Sequence, residues 1–324
     1  MSDAGVPPPW LRRGLGGGWR TRLSQNPPPP TPPQPRRGAN FGHSGRDARA
    51  PQRWRLALER FWRVYVEFIR VGFVNTLAYR LRYYTGIVTY FIYVTVYYFI
   101  WKAIYEHSST IEGFDFSHIL TYIAVGWIIR SFYFNNVDQD MANQVIEGKL
   151  AMDLIKPVNI QCMYVAQAFG ESLFRAGMLS LPTALALMLI YPLRRPASLH
   201  HFLAFLPSVL LSFFLVAAIN FVVGTLAVRL KSILGLLRAK YFLLELFSGL
   251  LLPITFFPQV FQKVFKLLPF EYISFVPVQL YLGKINGAAI AGSLALQLVW
   301  VVVLFVIGDA MWKWSSRKIT IQGG

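Results

Sequence analysis

The chain has 324 residues, of which 55% are hydrophobic, 16% aromatic and only 15% charged. An ordinary soluble domain carries roughly 25% charged residues, and several stretches here reach the roughly 20 apolar residues that a bilayer-spanning helix needs. The composition therefore excludes an ordinary soluble domain and predicts an all-α integral membrane protein. The net charge of +17 does not indicate nucleic acid as a partner, because the basic residues lie beside apolar segments, where they hold loops in the cytoplasm and contact membrane lipid. The single cysteine, Cys162, excludes an internal disulfide.

Residues 1–52 contain eleven of the twenty prolines, many Gly and Arg, and few apolar residues. Such a segment cannot bury enough apolar surface to fold, so we expect a disordered leader. It also lacks the apolar core of a signal peptide. Two interpretations of the leader are open: a cytosolic tail whose proline-rich stretches dock in SH3-like grooves, or residues added by a start codon assigned too far upstream.

Residues 53–82 carry charged residues on one side of a helical pattern and aromatic residues on the other. The charged side includes Arg60, Arg63, Glu67 and Arg70. A basic stripe opposite aromatic residues is typical of a helix that lies in the membrane interface. We therefore predict an amphipathic interface helix that does not span the bilayer.

Residues 83–318 are predicted to form a domain of six transmembrane helices, at residues 86–105, 118–137, 173–191, 202–228, 241–257 and 285–308. Arg130 and Glu245 are the charges nearest the middle of these segments, and an unpaired charge at that depth costs at least about 2.5–3.5 kcal/mol. They are the candidate residues of a substrate path. The structural alternative is that Arg130 pairs with Glu171 or Glu245.

The distribution of basic residues predicts the orientation of the six helices. With the N-terminus inside, sixteen Lys and Arg residues fall in cytoplasmic segments and five in outer segments, so the positive-inside rule places both termini in the cytoplasm. The chain is then a multi-pass protein of the cytoplasmic membrane. Between the fifth and sixth helices an apolar stretch is interrupted by Pro253, Pro258, Pro269 and Pro277. A re-entrant helical hairpin that dips in from the outer face is the expected structure, because irregular backbone at membrane depth must be satisfied by protein or by a cavity.

The sequence carries no catalytic motif. Gly148-Lys149 is not a phosphate-binding loop, because Asn143 and Leu150 stand where glycine and Ser or Thr are required. The segment Asp138-Gln-Asp140 resembles the start of a calcium loop but lacks the later ligand and the glycine turn, so it is interpreted as the solvated start of a helix. We therefore expect no catalytic residues, metal site or cofactor in this chain.

The segment between the second and third predicted helices, residues 138–158, has apolar residues at helical spacing. Gly148 interrupts the pattern and Pro157 ends it. Two interpretations are open: a helix that packs on the protein's own cytoplasmic surface, or a docking helix for a soluble partner that transmits a push into the membrane.

Residues 146–158, with Gly148, Leu150, Leu154 and the pair Lys156-Pro157, resemble the cytoplasmic loop of ABC-2 type transporter permeases. Residues 73–80 resemble the start of the first span in that family, and residues 253–277 are similar to its outer re-entrant region.

The resemblance implies a permease that pairs with an identical or sister permease to enclose a path for an amphiphilic or large substrate. It also implies a cytosolic ABC ATPase as partner, with ATP and Mg bound to that ATPase and not to this chain. By position, residues 141–156 would form the coupling helix and residues 55–82 the interface helix. The residues expected to couple to the ATPase are Val145, Ile146, Gly148, Lys149, Leu150, Asp153, Leu154, Lys156 and Pro157.

The sequence thus predicts the membrane-spanning subunit of an ATP-driven exporter. One alternative is a secondary, ion-coupled transporter, which would use midplane charges such as Arg130 and Glu245. A second alternative is a membrane-embedded enzyme, which would need convergent acid, base or metal-binding groups that the predicted spans almost entirely lack.

Overall fold

The computed structural model describes residues 50–78, 81–230 and 233–317, and within these ranges the side chains of residues 50–61, 81–83 and 234 are outside the description. Residues 53–324 form one compact unit. The predicted leader lies outside the described residues, except for residues 50–52, which begin the first helix. The regular structure of the described ranges is helical, without a β-strand.

The described ranges contain twelve α-helices. In chain order they are α1 (Ala50–Ala78), α2 (Leu81–Tyr105), α3 (Phe116–Tyr133), α4 (Val137–Ile146), α5 (Leu150–Leu154), α6 (Ile160–Arg175), α7 (Leu181–Ile190), α8 (Leu199–Ala227), α9 (Leu234–Phe247), α10 (Gln259–Lys266), α11 (Phe275–Tyr281) and α12 (Ala288–Ser316). A π-helical turn, Ala176–Ser180, joins α6 to α7 without a break, and short 3₁₀ turns precede and follow α10.

Among the described residues, four helices are long and apolar enough to cross a bilayer: Tyr84–Tyr105, Ile160–Ile190, Leu199–Ala227 and Ala288–Ser316. They correspond to α2, to α6 with α7, to α8 and to α12. Many of their large apolar side chains point away from the protein, and Leu189 of α7 is 87% exposed. In water such surfaces would be strongly unfavourable, whereas in a bilayer they face lipid. The chain is therefore an integral membrane protein.

Helix α8 is the centre of the bundle. In its most apolar stretch 44% of the residues are buried, against 17% in α2 and α12. The polar side chains on its buried face are satisfied inside the protein. Gln297 of α12 donates to the carbonyl oxygens of Ser208 and Tyr272, both at 2.8 Å, and accepts from the Ser208 hydroxyl at 2.9 Å. Such pairing is required where no water is present.

Four predicted segments have clearly different bounds in the structure. The helix predicted over residues 173–191 begins thirteen residues earlier, at Ile160, and the one predicted over residues 285–308 continues to Ser316. Helix α3 ends at Tyr133, four residues before the predicted end, because the backbone turns extended at Phe134 before α4 begins. Helix α9 begins at Leu234 and ends at Phe247, so the predicted helix over residues 241–257 is wrong for its second half. Gly249 has a φ of +78°, which L-residues rarely adopt, and Pro253 follows.

The region of the predicted re-entrant hairpin, residues 253–277, consists of short helical segments joined by turns. It holds the 3₁₀ turn Ile254–Phe256, helix α10, the 3₁₀ turn Pro269–Tyr272 and the start of α11. From Val276 to Tyr281 every residue is buried, and the backbone N–H of Phe275 donates to the Ser248 carbonyl at 3.0 Å. The region is thus folded onto the end of α9 and onto α8.

Candidate functional site

The predicted coupling segment folds as two short helices and not as one. The predicted helix over residues 141–156 is divided between α4 and α5, and the turn between them is made at Gly148, which has a φ of +70°. A Cβ at Gly148 would meet no atom within 4 Å. The glycine is therefore required by its backbone conformation and not by crowding.

The tip of this two-helix segment exposes apolar side chains. Ile146 is 66% exposed, Met152 is 69% exposed and Ile155 is 82% exposed, and Leu154 beside them is also exposed. Lys149, Lys156 and Pro157 are exposed around this group. We refer to Ile146, Met152, Leu154 and Ile155 as the coupling tip. Met152 and Ile155 were not among the coupling residues predicted from the sequence, although both positions lie within the predicted range of residues 141–156.

Other residues of the predicted set fix the segment to the rest of the protein. Leu150 is buried, and Val145 packs against a small cluster that includes Ala227 and Ile233. Asp153 accepts a hydrogen bond of 2.8 Å from the Tyr164 hydroxyl of α6 and forms an ion pair of 2.7 Å with Lys156. The predicted coupling residues therefore divide into an exposed set and an anchoring set.

Helix α1 contacts α6 through glycines. A Cβ on Gly170 would lie 1.9 Å from the Ile69 carbonyl oxygen, and one on Gly72 would lie 2.0 Å from the Gln167 carbonyl oxygen. The two backbones thus touch at this crossing. A further bond of 3.3 Å runs from the Asn159 backbone N–H to the Tyr65 hydroxyl. These contacts join α1 to α6, so a movement of α1 should displace the start of α6 as well.

The charged side of α1 is exposed. Arg63, Glu67 and Arg70 all face outward, and Glu67 lies 3.5 Å from Arg70. The side chain of Arg60 is outside the described residues. This arrangement fits the amphipathic pattern predicted for the helix, with the face opposite the charges packed on α6.

A polar cavity of about 480 Å³ lies between α1, α4, α5 and α6. Its walls include Asp140, Glu147, Asp153, Glu171 and the amide of Gln167. Desolvation raises the pKa of Asp140 to about 7, the carboxylates of Glu171 and Asp138 add to this rise, and the guanidinium of Arg175 opposes it. The cavity adjoins the anchored side of the coupling segment.

The two predicted path residues lie together. The guanidinium of Arg130 in α3 forms an ion pair with Glu245 of α9, with one bond of 2.8 Å from Nε, and it donates to the Tyr90 hydroxyl of α2 at 3.1 Å. The rings of Trp127 and Phe134 pack against its faces. Of the two partners considered from the sequence, Glu245 is the one that the structure pairs with Arg130, whereas Glu171 lies 3.8 Å from Arg175 within α6.

The interpretation of Asp138 as part of a solvated helix start is wrong. Its side chain is fully buried and forms an ion pair with Lys240 of α9, and the Tyr241 hydroxyl donates to its other oxygen at 3.2 Å. Lys240 is 102 residues away in sequence, so no local pattern could have shown this pair.

The comparisons with known proteins agree with this architecture. The family model described as ABC-2 family transporter protein matches residues 91–323, which is most of the chain. Comparison with curated proteins gave no match. The chain belongs to the ABC-2 family of transporter proteins and is a membrane permease of that family.

Proposed function

We propose that this chain is the membrane-spanning subunit of an ATP-driven exporter and that a separate cytosolic ABC ATPase binds at the coupling tip. Permeases of this family generally work with such an ATPase. The observation that carries the proposal is the exposure of Ile146, Met152, Leu154 and Ile155 on a segment outside the four long helices. Apolar side chains with no partner in the chain are typical of a protein contact surface.

The proposed topology has six spans with both termini in the cytoplasm. The four long helices supply four of them, and α3 and α9 supply the others. Helix α3 has 18 residues, which corresponds to about 27 Å at 1.5 Å per residue and is close to the thickness of the hydrocarbon core. Helix α9 has 14 residues and would reach the outer leaflet only together with the segment up to Pro253. In this topology α10 and α11 form the re-entrant region on the outer side.

The proposed mechanism uses the contacts of the segment that holds the tip. Closure of the ATPases on ATP would push the coupling tip, and the anchoring bonds of Asp153 and the α1–α6 crossing would carry the movement into the bundle. Two such permeases, identical or sister subunits, would enclose a path for an amphiphilic substrate, with Arg130 and Glu245 beside it. The chain itself would supply only a difference in affinity for the substrate between its inward-open and outward-open states, because ATP and Mg bind to the partner.

Co-purification with the ATPase tests the docking assignment. The variant Ile146→Asp/Ile155→Asp places charge on the tip without touching a buried residue. The matched control is Val260→Asp on α10, because Val260 is 72% exposed and lies on the proposed outer side. Each tagged chain is isolated in mild detergent from its native membranes, and the amount of ABC ATPase retained is measured.

We expect the wild type and the Val260→Asp variant to retain the ATPase, and the tip variant to lose at least nine-tenths of it. Full retention by the tip variant would disprove the docking assignment. Absence of any ABC ATPase from the wild-type preparation would contradict the proposed function as a whole.

A further inference from the structure

Helix α9 buries few of its apolar side chains. Among its described side chains only Leu237 and Leu244 are buried, and they lie seven positions apart, so they form one narrow seam along the helix. At the end of the helix, Phe247 packs against the rings of Phe265 and Phe270. Apolar contacts therefore hold this helix of 14 residues at few points.

Two charged residues flank this seam, one on each side. Lys240 and Glu245 are five residues apart, and each forms an ion pair with the elbow, which we define as the chain from Arg130 in α3 to Asp138 in α4. Glu245 pairs with Arg130 near the end of α3, and Lys240 pairs with Asp138 in the first turn of α4. Helix α9 supplies the anion of one ion pair and the cation of the other. A shift of α9 along the elbow by about one and a half helical turns would therefore place like charges next to each other.

The pair of Asp138 and Lys240 belongs to a larger buried network. The Lys240 ammonium also donates to Asn220 of α8 at 2.6 Å, and the Asn220 amide donates to the Asn135 carbonyl at 2.7 Å. Asp138, Asn135 and Asn220 are all fully buried, and the Lys240 side chain is 9% exposed. A buried ion pair of this kind contributes little net stability, but it strongly restricts which positions its helices can take.

Helix α4 reaches this network directly from the coupling tip. Asp138 lies in its first turn and Ile146 of the tip is its last residue. Where α4 crosses α8, a Cβ on Gly224 would lie 3.1 Å from the Asp138 Cα, so the crossing is closely packed. A displacement of the tip therefore acts on Asp138 through a continuous helix of 10 residues.

We propose that Asp138 and Lys240 are positioning residues that couple α4 to α9, so that a push on the coupling tip moves α9 and with it Glu245. This inference rests on the proposed function, because the push comes from the ATPase. The network is the linkage between the segment that the ATPase contacts and the helix that carries a residue of the substrate path.

The test measures distances by electron spin resonance on the assembled permease and ATPase in nanodiscs. In a Cys162→Ser background, spin labels are placed at Asn143 of α4 or at Phe242 of α9, each with a second label at Leu210 of α8 as reference. All three positions are exposed. Distances are recorded without nucleotide and after trapping with ATP and vanadate.

The main variant is Asp138→Leu/Lys240→Met, which replaces both charges with apolar groups and leaves no unpaired charge in the interior. The nearly isosteric variant Asp138→Asn/Tyr241→Phe keeps side-chain volume, removes the carboxylate and leaves Lys240 its hydrogen bond to Asn220, so it serves as a second, chemically different perturbation. The control is Glu67→Gln/Arg70→Met, which removes the exposed ion pair of α1.

In the wild type and the control we expect trapping to change both distances. In the apolar variant the change at Asn143 should persist while the change at Phe242 falls at least threefold, and the isosteric variant should lose about half of the change at Phe242. Equal changes at Phe242 in the wild type and in either folded variant would overturn the inference and leave the proposed function intact. A wild type in which Asn143 moves and Phe242 does not would also overturn it, and a wild type in which neither distance changes would contradict the proposed function as well.

Discussion

Arg130 and Glu245 show how this protein keeps charge inside a membrane bundle. Each side chain is less than one-quarter exposed, at 18% for Arg130 and 24% for Glu245. The pair is completed by the Tyr90 hydroxyl and by aromatic faces on both sides of the guanidinium. Intramembrane charges are stable only with such partners, so removal of one partner should cost more than removal of both.

Substitution of one member of this pair should destabilise the protein strongly. Arg130→Met or Glu245→Leu alone leaves a charge without its partner, and breaking a buried ion pair costs about 3–5 kcal/mol. The double variant Arg130→Met/Glu245→Leu should recover most of this loss. The measurement is thermal unfolding in detergent micelles.

The exposed pair of Glu67 and Arg70 provides the control for this experiment, because surface ion pairs contribute about 0–1 kcal/mol. Arg70→Met should therefore leave the unfolding midpoint nearly unchanged. The two residues would not act as a pair if the double variant at positions 130 and 245 lost as much stability as the sum of the losses in the two single variants.

Asp140 should make stability depend on pH. Its pKa is raised from the ordinary 3.8 to about 7, so between these values the folded protein binds a proton that the unfolded chain does not. Stability contributed by this group is then fully present below pH 4 and is lost as the pH rises toward 7. The side chain keeps contact with solvent in the cavity, which weakens the effect by screening.

The variant Asp140→Asn removes this titration. We expect its unfolding midpoint to rise relative to the wild type between pH 4.5 and pH 7.5, with Asn143→Ala, a substitution in the wall of the same cavity, showing no such trend. A difference between Asp140→Asn and the wild type that stays constant over this range would show that Asp140 does not titrate there.

Individual contacts were the least predictable feature of the site. The sequence identified Arg130 as a costly charge because a lone arginine in an apolar run is visible locally. Asp138 was misassigned because its partner, Lys240, lies 102 residues away in the chain and was counted only as one of the basic residues of the cytoplasmic segments. Whether an aspartate at a helix start is buried depends on which helices pack against it, and a local sequence pattern does not contain that information.

Among the structural elements, the long apolar helices were predicted most closely. Most of α2, α8 and α12 coincides with long apolar runs, which a bilayer demands and which are therefore visible in the sequence. Helix α12 continues eight residues past its predicted end, through Asp309 and Lys313. Helix α9 was placed too late in the chain, because the apolar run continues past Phe247 although the helix ends there. The end is determined by Gly249, whose carbonyl accepts a hydrogen bond of 2.5 Å from Tyr122, and this is a tertiary contact.

The crossing of α1 and α6 depends on its two glycines. Gly170→Ala would place a methyl group 1.9 Å from a backbone carbonyl, so the helices would have to separate. Overpacking of this kind typically costs about 1–3 kcal/mol. We expect a lower unfolding midpoint and faster proteolysis within α1, measured by limited digestion in nanodiscs.

Gly292 of α12 is the matched control for this prediction, because a Cβ there would meet no atom within 4 Å. Gly292→Ala should be neutral or stabilising by up to about 1 kcal/mol. Equal behaviour of the two alanine variants would mean that α1 does not contact α6 as described.

At the scale of the whole molecule, α8 forms the interior of the bundle and the other long helices turn apolar surface outward. The sequence predicted an all-helical membrane protein and its family, and both are confirmed. The predicted topology, the interface helix and the coupling role of residues 145–157 stay predictions. They depend on contacts of the chain with lipid and with a partner protein, and those contacts are not part of the folded chain itself.

Labelling from each side of the membrane tests whether the coupling tip lies in the cytoplasm, as the binding of a cytosolic ATPase requires. In a Cys162→Ser background, a single cysteine is placed at Met152 in one variant and at Val260 in another, since both positions are well exposed. A membrane-impermeant maleimide is applied to intact cells and to inside-out vesicles. We predict that position 152 is labelled only in inside-out vesicles and position 260 only in intact cells. Labelling of position 152 from outside intact cells would contradict the proposed function, because no cytosolic ATPase could then reach the tip.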